Sequence, residues 1–267
     1  KAIRRQRQMC VRDSYAFSAF LCTACLVSCN DWLKPEPLSF YSPENTYVTK
    51  EGLEGALVSC RAMIRPEFIG NNSYACTELM TSDVAVAGNI VAQTLKNFEI
   101  QLKPGAYGDS QIGTFWSKGY SAIQKANTII SRVQAADEIT ENDKNTILAE
   151  GYFHRSYWYY KLVNQFGDVP FIDKEVTTPK LDFYSHTRSS ILKRLREDMM
   201  FATRYLPESA PHGAVSKAAG NHLLAKICLA CCDFDGAVTA TTAVIDHSQH
   251  KLMEKRFGVN ISDAQYN

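Results

Sequence analysis

Three sets of residues in this 267-residue chain have types and spacings that could carry chemistry. The first is Leu26-Val27-Ser28-Cys29, which ends the apolar run 16–27 and follows a basic segment with Lys1, Arg4, Arg5, Arg7 and Arg12. A small residue before a cysteine, behind an apolar stretch too short to span a bilayer, has the form of a lipobox: Ser28 suits cleavage, and the Cys29 thiol can take a diacylglyceryl group. Residues 1–28 are therefore expected to be a lipoprotein signal peptide and Cys29 the lipidation site; a buried helix with incidental cysteines is the alternative. At ~0.8 kcal/mol per buried methylene, two or more acyl chains would hold the chain on a membrane without spanning it. The chain begins with Lys1, so either the start lies upstream or Met9 is the true start.

The second set is the C-x-x-C-C run Cys228, Cys231 and Cys232. Zinc sites draw on separated ligand pairs, whereas three thiols on one helix read as small core residues, so no metal site is expected. The third is Glu150 with Asp168. Glycosidases need two carboxylates across a cleft, but with 28 acids in the chain some such pair is inevitable. Glu150 is read instead as a structural contact with Arg155 across neighbouring helices, and His154 as a hydrogen-bonded core imidazole. No G-x-S-x-G elbow, H-E-x-x-H, Walker loop or dinucleotide fingerprint occurs, so neither catalysis nor a cofactor is expected.

Charge narrows the partners. Residues 1–28 hold five of the 29 bases and one of the 28 acids, leaving 24 bases against 27 acids in the rest. A phosphate binder needs a concentrated basic face, so nucleic acid is not an expected partner. With Cys29 acylated, the five thiols left (Cys60, Cys76, Cys228, Cys231 and Cys232) are an odd number and do not suggest a disulfide framework. Cys60 and Cys76 could pair, but spacing does not decide it.

The elements that must position these residues are helical. Thr140 and Asp143 have the spacing of an N-cap and its return partner. From there Ile147, Gly151, His154, Trp158, Leu162 and Gln165 share one face, with Tyr152, Phe153, Tyr159 and Phe166 on the flanks. A helix this aromatic on several sides is expected to lie buried between neighbours, ending at Gly167 and Pro170. Residues 30–47, punctuated by Pro35, Pro37 and Pro43, read as a leash. Thr49 then caps a helix with Leu53, Ala56, Leu57, Cys60, Met63 and Ile64 on its apolar face, ended by Pro66. Turns follow at 70–73, 81–83 and 104–113.

Trp116, read as a core residue, opens the next helix; its Asn127, on an apolar face, is expected to bond a backbone group. Residues 171–185 read as a connector. Beyond it, Ile191, Leu195, Met199 and Ala202 mark a helix ending before Pro207, on which Arg188, Lys193, Arg194, Arg196, Glu197 and Asp198 form a solvated face. Leu224-Ala225, Phe234 and Ala237 have the spacing of a tetratricopeptide repeat, with small residues where helices cross and an aromatic at the turn. The pairs 116–134 with 143–165, and 190–205 with 215–231 and 235–247, read as such repeats.

Ala149-Glu150, Arg155, the aromatics 157–160 and Phe166-Gly167-Asp168-Val169-Pro170 resemble the central signature of the SusD/RagB-like nutrient-binding outer-membrane lipoproteins of Bacteroidetes. The lipobox and proline-containing leader, Glu78 to Asp83, and Trp116, Gly119-Tyr120, Ile123 and Ala126-Asn127 are similar to the family as well. The resemblance covers residues 29–246. It implies a mainly α fold of tetratricopeptide-like repeats with irregular loops, arranged as a signal peptide (1–28), an anchor leader (29–48) and a SusD-like N-terminal region (49–267). Family chains are about twice this long, and the half that supplies much of their ligand surface is absent here.

By that resemblance the chain is a cell-surface, lipid-anchored glycan-binding protein that captures oligosaccharide for uptake through a TonB-dependent, SusC-like outer-membrane transporter. Tyr74, Phe98 and Tyr107 in the variable loops are candidates for stacking on sugar rings, and Asn71 and Asn72 for hydrogen bonds to hydroxyls; packing under the loops is the alternative. The competing function is a lipid-anchored repeat scaffold that binds protein through a concave face and no glycan.

Overall fold

The computed structural model describes residues 46–68, 111–136, 139–211 and 213–246. Six helices carry this part of the chain: α1 (Lys50–Phe68), α2 (Gln111–Val133), α3 (Glu141–Phe166), α4 (Arg188–Tyr205), α5 (Lys217–Ala230) and α6 (Phe234–Ile245). The only strands among the described residues are β1 (Val169–Pro170) and β2 (Ser185–His186), an antiparallel pair with Val169 opposite His186. The mainly α, repeat-like fold expected from the sequence is the one observed. Residues 1–45, with Cys29, and 69–110, with Asn71, Asn72, Tyr74, Cys76, Phe98 and Tyr107, lie outside the described residues.

Local signals set the helix ends. Thr140 Oγ1 accepts from Asp143 N at 3.2 Å and donates to the Asp143 carboxylate at 2.9 Å. The reciprocal bond thus runs between side chains and not back to the Thr140 backbone. Thr187, Ser216 and Asp233 cap α4, α5 and α6 in the same way, each satisfying an otherwise orphaned N–H. Gly167, at φ 75°, terminates α3 and donates its N–H to Val163 O at 3.1 Å, a backbone conformation that side-chain-bearing residues rarely adopt.

α3 is the hub. It packs against α1, α2 and α4 and touches α5, so thirteen of its residues are buried and it has no continuous polar face. Trp158, Tyr159 and Leu162 enter one core with Phe115, Ile123, Ile191, Leu195, Met199 and Ile227. Its first turns, Ile147 and Leu148, enter a second with Leu53, Leu57 and Cys60 of α1 and Ala126, Ile129 and Val133 of α2. Each large apolar side chain of these cores contributes about 1.5–3 kcal/mol when fully buried, and the carboxylates enclosed beside them, Glu67, Glu150 and Asp198, are each paired with a base. Small residues admit the close crossings: a Cβ on Gly220 of α5 would stand 2.6 Å from Leu206 Cδ1.

Several expectations are corrected. Pro66 does not end α1, which runs two residues further: a proline near the last turn loses one hydrogen bond, while burial of Glu67 holds the end in place. α2 begins at Gln111, five residues before Trp116, and Phe115 is the buried ring, with Trp116 half-buried against Tyr120 and Phe166. Gln165, in the last turn of α3, is exposed and not part of the buried face. Phe234 is 65% exposed, not a packed turn aromatic. Of the three late cysteines only Cys228 is buried; Cys231 is the C-cap of α5 and Cys232, at φ 60°, lies beyond it. Cys60 is a free thiol whose burial pushes its pKa up to about 12.

Candidate functional site

The residues that looked most chemical are spent on holding helices together. Glu150 and Arg155 both lie on α3 and do not pair with each other. Glu150 takes a two-pronged contact from Arg61 of α1, at 2.6 and 2.9 Å. Arg155 reaches the other way, to Asp198 of α4 at 2.5 Å. Asp198 is therefore buried, contrary to the solvated face expected of α4, and Arg194 also approaches it at 3.3 Å. Glu67 of α1, fully buried, takes the Lys161 ammonium and the Tyr157 hydroxyl. Burial raises the Glu150 pKa, but His154 and the Arg61 guanidinium outweigh it and hold the carboxyl below its usual range. For Asp198 burial dominates, and its pKa is raised despite Arg155. His154 is buried, with Nε2 in a long 3.5 Å contact to Glu150 Oε1, and among the described residues neither ring nitrogen makes a well-formed hydrogen bond, so the imidazole is less fully satisfied than expected.

Glu150 and Asp168 are not a catalytic pair. From Glu150 to the end of α3 at Phe166 the axial rise is about 24 Å, whereas glycosidase carboxylates stand roughly 5–10 Å apart. Asp168 instead accepts from the Arg188 backbone N–H at 2.8 Å. Among the described residues no group of three His, Cys, Asp or Glu side chains could hold a metal ion, and no helix is long and apolar enough to cross a membrane.

What the signature region builds is an open cleft of about 340 Å³ along α2. One wall is the face of α2 that carries Ser117, Tyr120, Gln124 and Asn127; the other is the connector after β1, with Lys174 and Phe183. The connector wall is fixed by its backbone. Tyr120 donates to Pro170 O at 2.8 Å and Asn127 Nδ2 to Ile172 O at 2.7 Å. The Ile172 N–H donates to Tyr159 Oη at 2.6 Å, and Arg155 donates to Asp173 O at 2.9 Å. Arg132 grips Glu175 with two bonds of 2.8 and 3.0 Å. Burial pushes the Tyr120 and Tyr159 phenols well above their usual range, so both stay protonated donors. The β1–β2 ladder brings the connector back towards α4, leaving Leu181 almost fully exposed, Tyr184 largely exposed and Phe183 41% exposed on the cleft rim.

The cleft thus offers a rigid wall, an exposed aromatic edge at Phe183, the amide of Gln124, the hydroxyls of Ser117 and Ser121 and one ammonium, Lys174. That set suits neutral hydroxylated ligands through stacking and hydrogen bonds and has no acid–base pair. Asn127 behaves as the sequence implied, bonding a backbone carbonyl. Phe183 was missed because no periodic signal marks which way a connector side chain points. The loop candidates Asn71, Asn72, Tyr74, Phe98 and Tyr107 lie outside the described residues.

A stack of capped helices with a lateral open cleft is a helical scaffold of the tetratricopeptide-like class. A model of the SusD-like family, described as starch-binding and associating with the outer membrane, matches residues 53–229. This is well over half of the chain, and the chain belongs to that family. SusD-like protein P2 of Formosa agariphila is 29% identical over 227 residues, covering 83% of this chain and 44% of that relative. A SusD superfamily protein from Bacteroides vulgatus superposes with a TM-score of 0.67 at 17% identity, over 78% of this chain and 46% of the other. Surface glycan-binding protein A from Bacteroides uniformis does so with a TM-score of 0.63 at 19% identity, over 77% and 48%. At these identities the structural likeness is one of fold. The chain spans about half the length of the proteins it matches.

Proposed function

We propose that the chain captures oligosaccharide at the outer surface of the outer membrane, anchored through an acylated Cys29, and delivers it to a TonB-dependent, SusC-like transporter. The family match over residues 53–229 carries this reading. The name of the Bacteroides uniformis neighbour, a surface glycan-binding protein, and the aromatic–amide–hydroxyl lining of the α2 cleft support it. In this reading Asn71, Asn72, Tyr74, Phe98 and Tyr107 extend the ligand surface beyond the cleft, residues 29–48 form the leash, and function is capture without turnover.

The test is calorimetric titration of the purified chain, begun after Cys29, with starch- and laminarin-derived oligosaccharides, alongside an assay for new reducing ends. Saturable binding without cleavage is the expected result. A flat titration with every glycan, together with retained transporter binding, would overturn glycan capture in favour of the assembly scaffold; cleavage would overturn it in favour of an enzyme. Palmitate labelling in cells, abolished by Cys29→Ala, tests the anchor separately.

A further inference from the structure

One concavity outside the α2 cleft is the trough of about 400 Å³ between α4, α5 and α6. It carries no feature that selects a ligand: no aromatic side chain lines it, and its Arg196 is taken by Asp233 at 2.7 Å. Another, of about 340 Å³, lies within the curl of the connector, bordered by residues between Phe171 and Phe183. It shares Ile172, Lys174, Val176 and Phe183 with the α2 cleft, so the two lie side by side across one wall.

The connector opening repeats the chemistry of the cleft. Phe171 brings a second ring, packed on Tyr159 with centroids 4.7 Å apart. Thr177 and Thr178 bring hydroxyls and Asp173 a carboxylate. Glu175 is taken by Arg132, but the Asp173 carboxylate makes no ion pair among the described residues. A carboxylate accepts from more than one sugar hydroxyl, and threonine hydroxyls both donate and accept. Among the described residues the backbone of 176–183 makes no hydrogen bond, so its polar groups are open to a ligand. The base of the curl is nevertheless fixed, because beyond the bonds at Ile172 and Asp173 the Glu175 N–H donates to Ser131 Oγ at 3.1 Å. Phe183 belongs to both concavities, and Lys180 Nζ lies over its ring at 5.5 Å, a cation–π contact that steadies the dividing ring. Each opening is at the small end of the roughly 300–1,000 Å³ of small-molecule sites. Neither holds more than a short saccharide, and a longer one must run from one to the other past Phe183.

We propose that the glycan site has two parts: a neutral oligosaccharide seats one end in the α2 cleft, crosses Phe183, and places its next units in the connector opening. There Asp173, Thr177 and Thr178 bond the hydroxyls. The proposal rests on the glycan-capture reading and narrows its ligand to oligosaccharides longer than either opening.

The experiment is calorimetric titration of the chain, begun after Cys29, with malto- and laminari-oligosaccharides of two to seven units. Wild type is compared with Asp173→Ala, Thr178→Leu and Gln124→Ala. All three positions are exposed, so melting temperature is expected to hold and shows that each variant folds. In the series that binds, affinity should rise about tenfold from the two-unit to the six-unit ligand. Asp173→Ala and Thr178→Leu should remove most of that rise and leave the two-unit ligand unchanged, whereas Gln124→Ala, in the α2 cleft, should weaken both. An affinity independent of length, or a rise that survives both connector variants, would overturn the two-part site and leave glycan capture standing. So would an equal loss for short and long ligands in the connector variants, the mark of a displaced wall. A flat titration with every oligosaccharide would overturn glycan capture and the two-part site together.

Discussion

The α2 cleft and the α4–α6 trough are built on one stack of helices by opposite means. The cleft has a wall of irregular chain whose backbone is pinned from below by Tyr120, Asn127, Arg155 and Tyr159, and its rim is aromatic. The trough has a wall of helices only: it is the space left where three capped helices with small contact residues meet, and its rim carries Arg204 and the Asp233-paired Arg196. Irregular backbone must be bonded group by group to hold a shape, whereas helix walls are self-satisfied and need only close packing. Polar deletions should therefore damage the cleft, and steric ones the trough.

Arg155→Met should have the largest effect. It leaves Asp198 buried without its partner and frees the Asp173 carbonyl, at a cost of roughly 3–5 kcal/mol in urea denaturation. Amide exchange should rise first in the connector and last in α5; uniform loosening would mean that the two regions are one unit. Gly220→Ala strikes the trough side. Its Cβ would sit 2.6 Å from buried Leu206 Cδ1, and overpacking of about 1–3 kcal/mol should exceed the gain of about 1 kcal/mol from helix propensity. Gly119→Ala at the α2–α3 crossing meets Leu162 only at 3.1 Å and should come out near neutral. The opposite order of the two would undo the argument about small-residue crossings.

Phe183→Ala should weaken oligosaccharide binding about five- to tenfold, equivalent to the ~1 kcal/mol of an aromatic contact, without moving the melting temperature. An unchanged affinity would remove the α2 cleft from the ligand surface. On the acid side, the depressed Glu150 pKa gives stability that is present above the unfolded glutamate value of about 4.3 and is lost as pH falls through the folded value. Asp198, raised by burial, works the other way, losing stability as pH rises from about 3.9 through its folded value. Melting followed from neutral pH downward should show Arg61→Gln less stable at neutral pH and losing less stability than the parent below about pH 4.3. Arg132→Ala is the smallest change: a partly exposed pair with Glu175 is worth up to ~1 kcal/mol, and a larger loss would mean the connector wall depends on that single clamp.

Much of the scaffold was legible in the residues. Thr49 and Thr140 announce helix starts because a cap acts within three positions, and Gly167 with Pro170 announces an end for the same reason; the caps Thr187, Ser216 and Asp233 emerged only from the structure. The aromatic content of α3 announced burial on several sides. The α2 cleft was legible only in part. Asn127 on an apolar face implied a backbone partner, but nothing marked Phe183 as a rim residue.

The sequence by itself determined the helical architecture, the family and the absence of known catalytic motifs, since periodicity, caps and short signatures act between residues close in the chain. Tertiary structure alone decided who pairs with whom. Glu150 found Arg61 across 89 positions and Arg155 found Asp198 across 43. The reason is physical: a buried charge takes whichever opposite charge packing brings to it, and on α3 packing turned Glu150 towards α1 and Arg155 towards α4.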